Sequence, residues 1–382
     1  MKAFKLALIS LFAIAMIAPV FAGGQGEAAP AQTGGLPKTR VEILGAGASF
    51  PAPLITAWAD DYRDLTSGRV TINYQSIGSG GGVRQFMEQT IMFGASEAAL
   101  SDANMAAALN ATGGFAYNLP LTLGDVVLTY NVPGVGQGVV FSPEVIAGAF
   151  LGTIRNWNDP QIAALNPGKT FPNLPISIAH RSDGSGTTSI FTNYLTRVSQ
   201  PWASQVGAGS SVNWPVGSGG IGNEGVAGIV QSTPGALGYN SLVYAVLNNI
   251  SYGHVINKSG NTIVPSLEAT SLAAAVTIPR DGRVQLVNTD APQGYPIAGF
   301  AWGLVYQNLD QNQAITTREE AIELTRFLYY VVTEGQNINE ALSFSRLPGP
   351  AQELAISMIS SLNFQGENIG QAVIADVRQF GF

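Results

Sequence analysis

Short apolar runs alternate along the chain with longer stretches in which apolar residues recur every three or four positions. The short runs have the length and alternation of strands, and the longer stretches have the spacing of one helix face. This order predicts an α/β fold built on a sheet. The strand-then-helix pairs lie at 41–44 then 54–62, 70–74 then 83–91, and 176–178 then 190–198.

Each predicted strand leads into its helix through a loop of glycine and small hydroxyl residues. The three loops are Gly45–Phe50, Gly78–Gly82 and Arg181–Thr187. The start of a helix presents free backbone N–H groups and the positive end of the helix dipole. Glycine lets the backbone approach a ligand closely, and serine or threonine adds a donor without formal charge. We therefore expect a small anion to bind where the three loops meet.

The third loop also contains a cation and an anion two residues apart, Arg181 and Asp183. On an open surface such a pair stabilises a protein very little. In a cleft, the guanidinium offers two parallel donors to an oxyanion while the aspartate orients it. The surrounding glycines and hydroxyls favour the second interpretation.

Several catalytic and metal-binding patterns are missing from the sequence. It has neither a nucleotide P-loop nor the G-x-S-x-G turn of α/β-hydrolases. The chain has no cysteine and two histidines, His180 and His254, and His180 is predicted to be structural. The acidic pairs Asp60-Asp61 and Glu319-Glu320 are expected on solvated helix faces. We predict no catalytic residue, no metal site and no cofactor, and so no enzyme.

The N-terminus has the pattern of a cleaved secretory signal over residues 1–22, with Lys2 and Lys5 ahead of an apolar run. A Gly, Ala and Pro-rich segment at 23–40 is predicted to be a flexible tether. Without the two lysines of the leader, the formal net charge of −7 becomes −9. The electric field of a protein with this negative net charge does not attract nucleic acid. Local dipoles must therefore hold any anion that binds.

Seven segments together resemble the periplasmic phosphate-binding proteins of phosphate-specific (Pst-type) ABC transporters. The resemblance implies two α/β domains joined by a hinge, the type II periplasmic-binding-protein fold, with the ligand in the cleft between them. Domain I is expected at 41–121 plus 295–382, and domain II at 122–294. The segments are GAGASFPAP (45–53), SIGSGGGVRQ (76–85), FGASEAALSD (93–102), FLGTIRNWND (150–159), RSDGSGTTSIFTNYL (181–195), GSSVNWPVGSGGIGNEGVAG (209–228) and PGALGY (234–239).

The same resemblance implies which residues bind phosphate. Asp183 matches the aspartate that orients the arginine, and Glu97 stands where the family has aspartate. That carboxylate accepts a hydrogen bond from the proton that phosphate keeps and sulfate lacks, so the extra methylene of glutamate bears on selectivity. The implied ligands are Ser49, Phe50, Ser79, Glu97, Arg181, Ser185, Gly186 and Thr187.

The predicted function is capture of inorganic phosphate by a periplasmic monomer, which delivers it to an inner-membrane ABC permease with its ATPase subunits. Three alternatives remain open at this stage. One is a receptor for another oxyanion, such as sulfate, arsenate or molybdate. A second is a secreted phosphatase, and a third is a surface adhesin on the same scaffold.

Overall fold

The computed structural model describes residues 35–382. The predicted signal at 1–22 and the tether as far as residue 34 lie outside this part of the chain. Within residues 35–382, none of the helices combines the length and apolar character needed to cross a membrane.

The described residues form fourteen strands, most of them short. They are β1 Val41–Gly47, β2 Val70–Ser76, β3 Phe93–Ser96, β4 Ala116–Asn131, β5 Val140–Phe141, β6 Ser177–Arg181, β7 Ser218–Gly220, β8 Ala236–Ser241, β9 Ser251–Tyr252, β10 His254–Ile256, β11 Thr262–Ile263, β12 Ala298–Tyr306, β13 Asn363–Phe364 and β14 Glu367–Asn368.

Thirteen α-helices and two 3₁₀-helices, Leu309–Gln311 and Glu334–Leu342, connect these strands within residues 35–382. The α-helices are α1 Ala52–Leu65, α2 Gly78–Met87, α3 Asp102–Thr112, α4 Pro143–Leu151, α5 Pro160–Leu165, α6 Gly186–Val198, α7 Gln200–Gln205, α8 Gly222–Ser232, α9 Leu242–Leu247, α10 Leu267–Ala273, α11 Arg318–Val332, α12 Gly349–Ser360 and α13 Ile369–Phe380.

One mixed sheet organises the fold, with strand order β2-β1-β3-β12-β4-β8-β6-β7 and β9 paired to β4. Strands β1, β2 and β3 are mutually parallel, as are β6, β7 and β8. The long strand β4 joins the two groups, since residues 116–125 pair with β12 and residues 126–131 pair with β8. We call β1–β3 with α1 and α2 the β1 half, and β6–β8 with α6, α8 and α9 the β6 half.

The strand predictions at 41–44, 70–74 and 176–178 correspond to β1, β2 and β6. Two loop predictions extend too far into helices. Gly78–Gly82 forms the first turn of α2, and α6 already begins at Gly186. Glycine has poor intrinsic helix propensity, so the sequence favours a loop. Tertiary packing overrides that preference, because Gly78, Ser79 and Gly82 are buried.

Part of the predicted tether is fixed in place. The buried guanidinium of Arg326 donates to the carbonyl oxygens of Leu36 (3.1 Å) and Pro37 (2.9 Å). The amide of Leu36 donates to Asp376 Oδ1 at 2.7 Å, and Arg69 Nη1 donates to the Thr39 carbonyl at 2.9 Å. Among the described residues, contacts with the fold are therefore already present at Leu36, ahead of Val41.

The acidic pairs lie at helix surfaces, as predicted. Asp60 and Asp61 are exposed on α1, and Asp60 pairs with Arg63 at 3.1 Å. Glu320 belongs to the capping box that starts α11, in which the Thr317 side chain accepts from the Glu320 amide. These carboxylates support helices and take no part in the buried site described below.

Candidate functional site

The N-terminal ends of four helices meet where the β1 half contacts the β6 half. Ser49 and Phe50 lie just before α1, and Ser79 lies in the first turn of α2. Across from them, Ser185 caps α6 and Thr187 lies in its first turn, while Asn223 lies in the first turn of α8. All these residues are buried. The arrangement directs several helix dipoles and hydroxyl groups toward one small region.

Arg181 supplies the positive charge of this region at the end of β6. Its Nε and Nη2 donate to the two carboxylate oxygens of Asp183 at 2.7 and 2.5 Å, a bidentate pair. Burial favours a higher pKa for Asp183, but the hydrogen bonds and charge of Arg181 outweigh it and lower that pKa. Arg181 is 3% exposed, and its guanidinium has five N–H donors, so it keeps donors for a second acceptor.

Ser79 and Gly186 join the two halves directly. The amide of Gly186 donates to Ser79 Oγ at 3.0 Å, and the amide of Gly80 donates to the Gly184 carbonyl at 2.8 Å. A side chain at position 186 would collide with Glu97, because a β-carbon there would lie 2.6 Å from the Glu97 amide nitrogen. Glycine is therefore required for this close approach.

Glu97 follows β3 and brings a buried carboxylate into the same region. Thr187 Oγ1 donates to Glu97 Oε2 at 3.2 Å, while Oε1 has no hydrogen-bond partner among the described residues. Burial raises the pKa of Glu97 to about 7, although the charge of Arg181 and the Thr187 hydrogen bond oppose the rise. The free oxygen can accept a proton donor or carry a proton itself.

Ser49 is held by a residue that the sequence analysis did not single out. Asn223 donates to Ser49 Oγ through both its backbone amide (3.0 Å) and its side-chain Nδ2 (2.9 Å). A sequence pattern could have pointed to Asn223, because the run Gly219–Gly225 is a fourth glycine-rich junction between a strand and a helix. Its strand, β7, has only three residues, which is too short for a periodicity argument.

Two further predicted residues have clear structural contacts. Ser185 Oγ accepts from the Thr188 amide at 3.1 Å and so caps α6, while the Ser185 amide donates to the Ser210 carbonyl at 2.8 Å. The Phe50 ring is buried and packs edge-on against Phe344, with ring centroids 5.6 Å apart. Packing of that ring fixes the backbone next to Ser49.

His180, next to Arg181 in the chain, is held by packing and by a backbone contact. His180 stacks on Trp214 at 4.9 Å, and its Nδ1 lies 2.9 Å from the Arg181 carbonyl. Residues 35–382 hold no group of three or more His, Asp or Glu side chains placed to bind a metal ion. The local chemistry is one oriented cation, several neutral donors and one acceptor, which suits binding of a protonated oxyanion.

Comparison with known proteins agrees with the sequence resemblance. A family model for the PBP superfamily domain matches residues 26–334. Phosphate-binding protein PstS of Xylella fastidiosa (strain 9a5c) is 42% identical over 312 residues, which cover 81% of this chain and 82% of that protein. PstS of Methanocaldococcus jannaschii is 33% identical over 382 residues, covering 94% of this chain and 97% of its own.

A solved structure of a high affinity periplasmic phosphate-binding protein (PfluDING) has the same fold. Its TM-score is 0.68 at 19% identity, and the match covers 86% of this chain and 98% of that one. The predicted fold class, an α/β fold of the type II periplasmic-binding-protein kind, is confirmed. With two relatives above 30% identity over most of its length, the chain belongs to the PstS family of phosphate-binding proteins.

Proposed function

We propose that this protein captures inorganic phosphate in the periplasm and delivers it to an ABC permease and its ATPase subunits. In this proposal it works as a monomer, is exported by the leader at 1–22 and catalyses no reaction. Membership of the PstS family supports the transport role. Domain I at 41–121 plus 295–382 and domain II at 122–294 close on the anion by a hinge movement.

The proposed ligand groups are those brought together at the contact between the two halves. The hydroxyls of Ser49, Ser79 and Ser185 and the amide of Phe50 donate to phosphate oxygens. The Gly186 amide and the Thr187 hydroxyl do so after exchanging their present acceptors, Ser79 Oγ and Glu97 Oε2. Arg181, oriented by Asp183, supplies the charge. Their burial supports this role, because hydrogen bonds to a charged group are stronger away from water.

One observation carries the identification of the ligand as phosphate. Glu97 Oε1 is a buried carboxylate oxygen with no partner among the described residues, beside a cluster that is otherwise rich in donors. A ligand that is both an anion and a hydrogen-bond donor satisfies such a set. Phosphate meets both conditions at neutral pH. Sulfate carries no proton and would face the ionised carboxylate unpaired, at a large penalty.

Titration calorimetry on the mature, ligand-stripped protein tests this proposal. At pH 8.5, above the pKa of about 7 of Glu97, the carboxylate is ionised and phosphate still carries one proton, so phosphate should bind tightly and sulfate should give no heat. Arsenate carries the same proton and should compete with phosphate. Comparable binding of sulfate and phosphate, or of neither, would refute the proposal. Release of phosphate from a generic phosphate ester would instead point to the phosphatase alternative.

A matched pair of variants locates the site. Arg318 forms an exposed bidentate pair with Glu367, with bonds of 3.0 and 2.6 Å, much like the buried pair of Arg181 and Asp183. R181Q should weaken phosphate binding by at least about 100-fold, because it removes a buried charge-assisted donor. R318Q should leave the affinity unchanged. Equal behaviour of the two variants would place the anion elsewhere.

A further inference from the structure

Ser49 of the β1 half accepts hydrogen bonds from two residues of the β6 half, Asn223 and Tyr244. Besides the two bonds from Asn223 to Ser49 Oγ, the phenol of Tyr244 donates to the Ser49 carbonyl oxygen at 2.7 Å. Ser49 is 1% exposed, Asn223 0% and Tyr244 9%. Three hydrogen bonds therefore hold one serine from the opposite half of the molecule. The predicted phosphate ligands include Ser49 but neither Asn223 nor Tyr244.

The two bonds from Asn223 decide what the Ser49 hydroxyl can do. A hydroxyl oxygen has two lone pairs and one proton. The Asn223 amide and Nδ2 approach the oxygen at 3.0 and 2.9 Å and use both lone pairs. Only the proton of Ser49 is left for a further bond. Ser49 is thereby fixed as a donor, which is the role that binding to an anion requires.

The orientation of the Asn223 side chain is itself fixed. Its Oδ1 accepts from the Ser241 amide at 3.0 Å, so the carboxamide oxygen and nitrogen cannot exchange places without losing that bond. The second Nδ2 hydrogen points to Thr187 Oγ1 at 3.2 Å. One carboxamide thus connects two of the proposed ligand hydroxyls, one from each half.

We propose that Asn223 and Tyr244 are positioning residues that act through Ser49. They lock the Ser49 hydroxyl as a phosphate donor, and they couple capture of the anion to contact between the two halves. This inference rests on the proposed phosphate-binding function. Asn223 and Tyr244 need not touch phosphate, since their contribution is to set the direction of the Ser49 proton and to hold its loop.

Calorimetric titration of inorganic phosphate into natural and variant full-length mature protein tests the inference. The natural protein is titrated first and should bind phosphate. If it does not bind, the proposed function itself is refuted, and not only this inference. N223A should then weaken binding by about 10- to 100-fold, and Y244F by about 3- to 10-fold. The control N339A should keep the natural affinity, although it removes a buried asparagine whose Nδ2 donates to Thr122 Oγ1 at 3.2 Å.

A double variant separates positioning from general stability. If Asn223 acts through Ser49, N223A should weaken binding much less in an S49A background than in the natural protein. Equal fold-changes in both backgrounds would overturn the inference, as would natural affinity in N223A. Circular dichroism checks that each variant is folded. If N223A does not fold, Y244F provides the test, because it keeps the ring and removes only the hydroxyl. An unchanged phosphate affinity in Y244F would then contradict the proposed positioning of Ser49.

Discussion

At the scale of single residues, Glu97 is the group with the most distinctive environment in the site. It is buried, near the Arg181 charge, and bonded on one oxygen only among the described groups. Burial disfavours the carboxylate, and the pKa of Glu97 rises from its ordinary 4.5 to about 7. The glutamate therefore changes protonation near neutral pH, where phosphate also changes its charge.

This shift makes folding stability depend on pH. In the unfolded chain Glu97 loses its proton near its ordinary pKa of 4.5, while the folded protein keeps it until the pKa of about 7. The stabilisation is complete below the lower value and is lost as pH rises through the higher one. Between pH 5 and 8 this amounts to about 2–3 kcal/mol. In urea unfolding of the phosphate-free protein, the unfolding free energy should fall between pH 5 and pH 8. The fall should be smaller in E97Q than in the natural protein by that amount.

Asp125, whose pKa burial raises to about 8, contributes in the same direction. It is present in both proteins, so the difference between natural protein and E97Q isolates Glu97. Parallel pH curves for the two would contradict the assignment.

A second consequence of Glu97 concerns the choice of anion. Glutamine offers an N–H donor where glutamate offers only acceptors when ionised. E97Q should therefore bind sulfate measurably and bind phosphate more weakly. The sulfate dissociation constant divided by the phosphate dissociation constant should fall by at least about tenfold. Competition calorimetry at pH 7.5 measures this ratio. A variant that rejects sulfate as strongly as the natural protein would show that Glu97 does not determine selectivity.

The sequence singles out most of the residues that the structure brings together where the two halves meet, and the exception, Asn223, has a physical explanation. Arg181, Ser79 and Thr187 stand at glycine-rich junctions between recognisable strands and the helices that follow them. Asn223 follows a strand of three residues, so no hydrophobic alternation marks it. Its proposed role depends on contacts with Ser49, which is 174 positions away in the chain. No local pattern encodes a contact of that kind.

At the scale of elements, residues 36–40, directly before β1, are part of the folded structure. Leu36 and Pro37 accept hydrogen bonds from Arg326, which also pairs with Glu323 and Asp376 at 2.7 Å each. The composition of residues 23–40 predicts a flexible chain, because glycine and proline suggest no regular element. Backbone carbonyls, which every residue has, make the contacts instead.

Truncation should reveal this role. A protein that starts at residue 41 leaves the buried Arg326 and Asp376 without backbone partners, and we expect it to lose about 1–3 kcal/mol of unfolding free energy. A protein that starts at residue 35 keeps these bonds and serves as the control. Urea denaturation measures both. Equal midpoints would mean that the segment contributes nothing to stability.

At the scale of the whole molecule, the two halves meet through backbone groups as well as side chains. Gly80 of α2 donates to Gly184 of the β6–α6 loop, and a β-carbon on Gly80 would lie 3.0 Å from the Gly184 α-carbon. The halves can approach to this distance because neither residue has a side chain.

A substitution at the contact between Gly80 and Gly184 should change protein stability and phosphate affinity in opposite directions. G80A should stabilise α2 by up to about 1 kcal/mol, since alanine favours helices. It should also weaken phosphate binding by about fivefold, because the methyl group holds the halves apart. G81A is the matched control, because its β-carbon would meet only the flexible Ile77 side chain. Thermal melting and calorimetry test both variants, and equal phosphate affinities would exclude a steric role for Gly80.

The strand β4 has a consequence for how this protein could be divided or recombined. Its first ten residues pair with β12 and its last six pair with β8, so a single uninterrupted strand serves both groups of parallel strands. A gene cut within β4 would leave both fragments with an incomplete sheet. Exchange of one half between relatives would need two junctions, one in β4 and one ahead of β12. Tolerated insertions should instead concentrate in exposed surface turns, such as the one around Gly134.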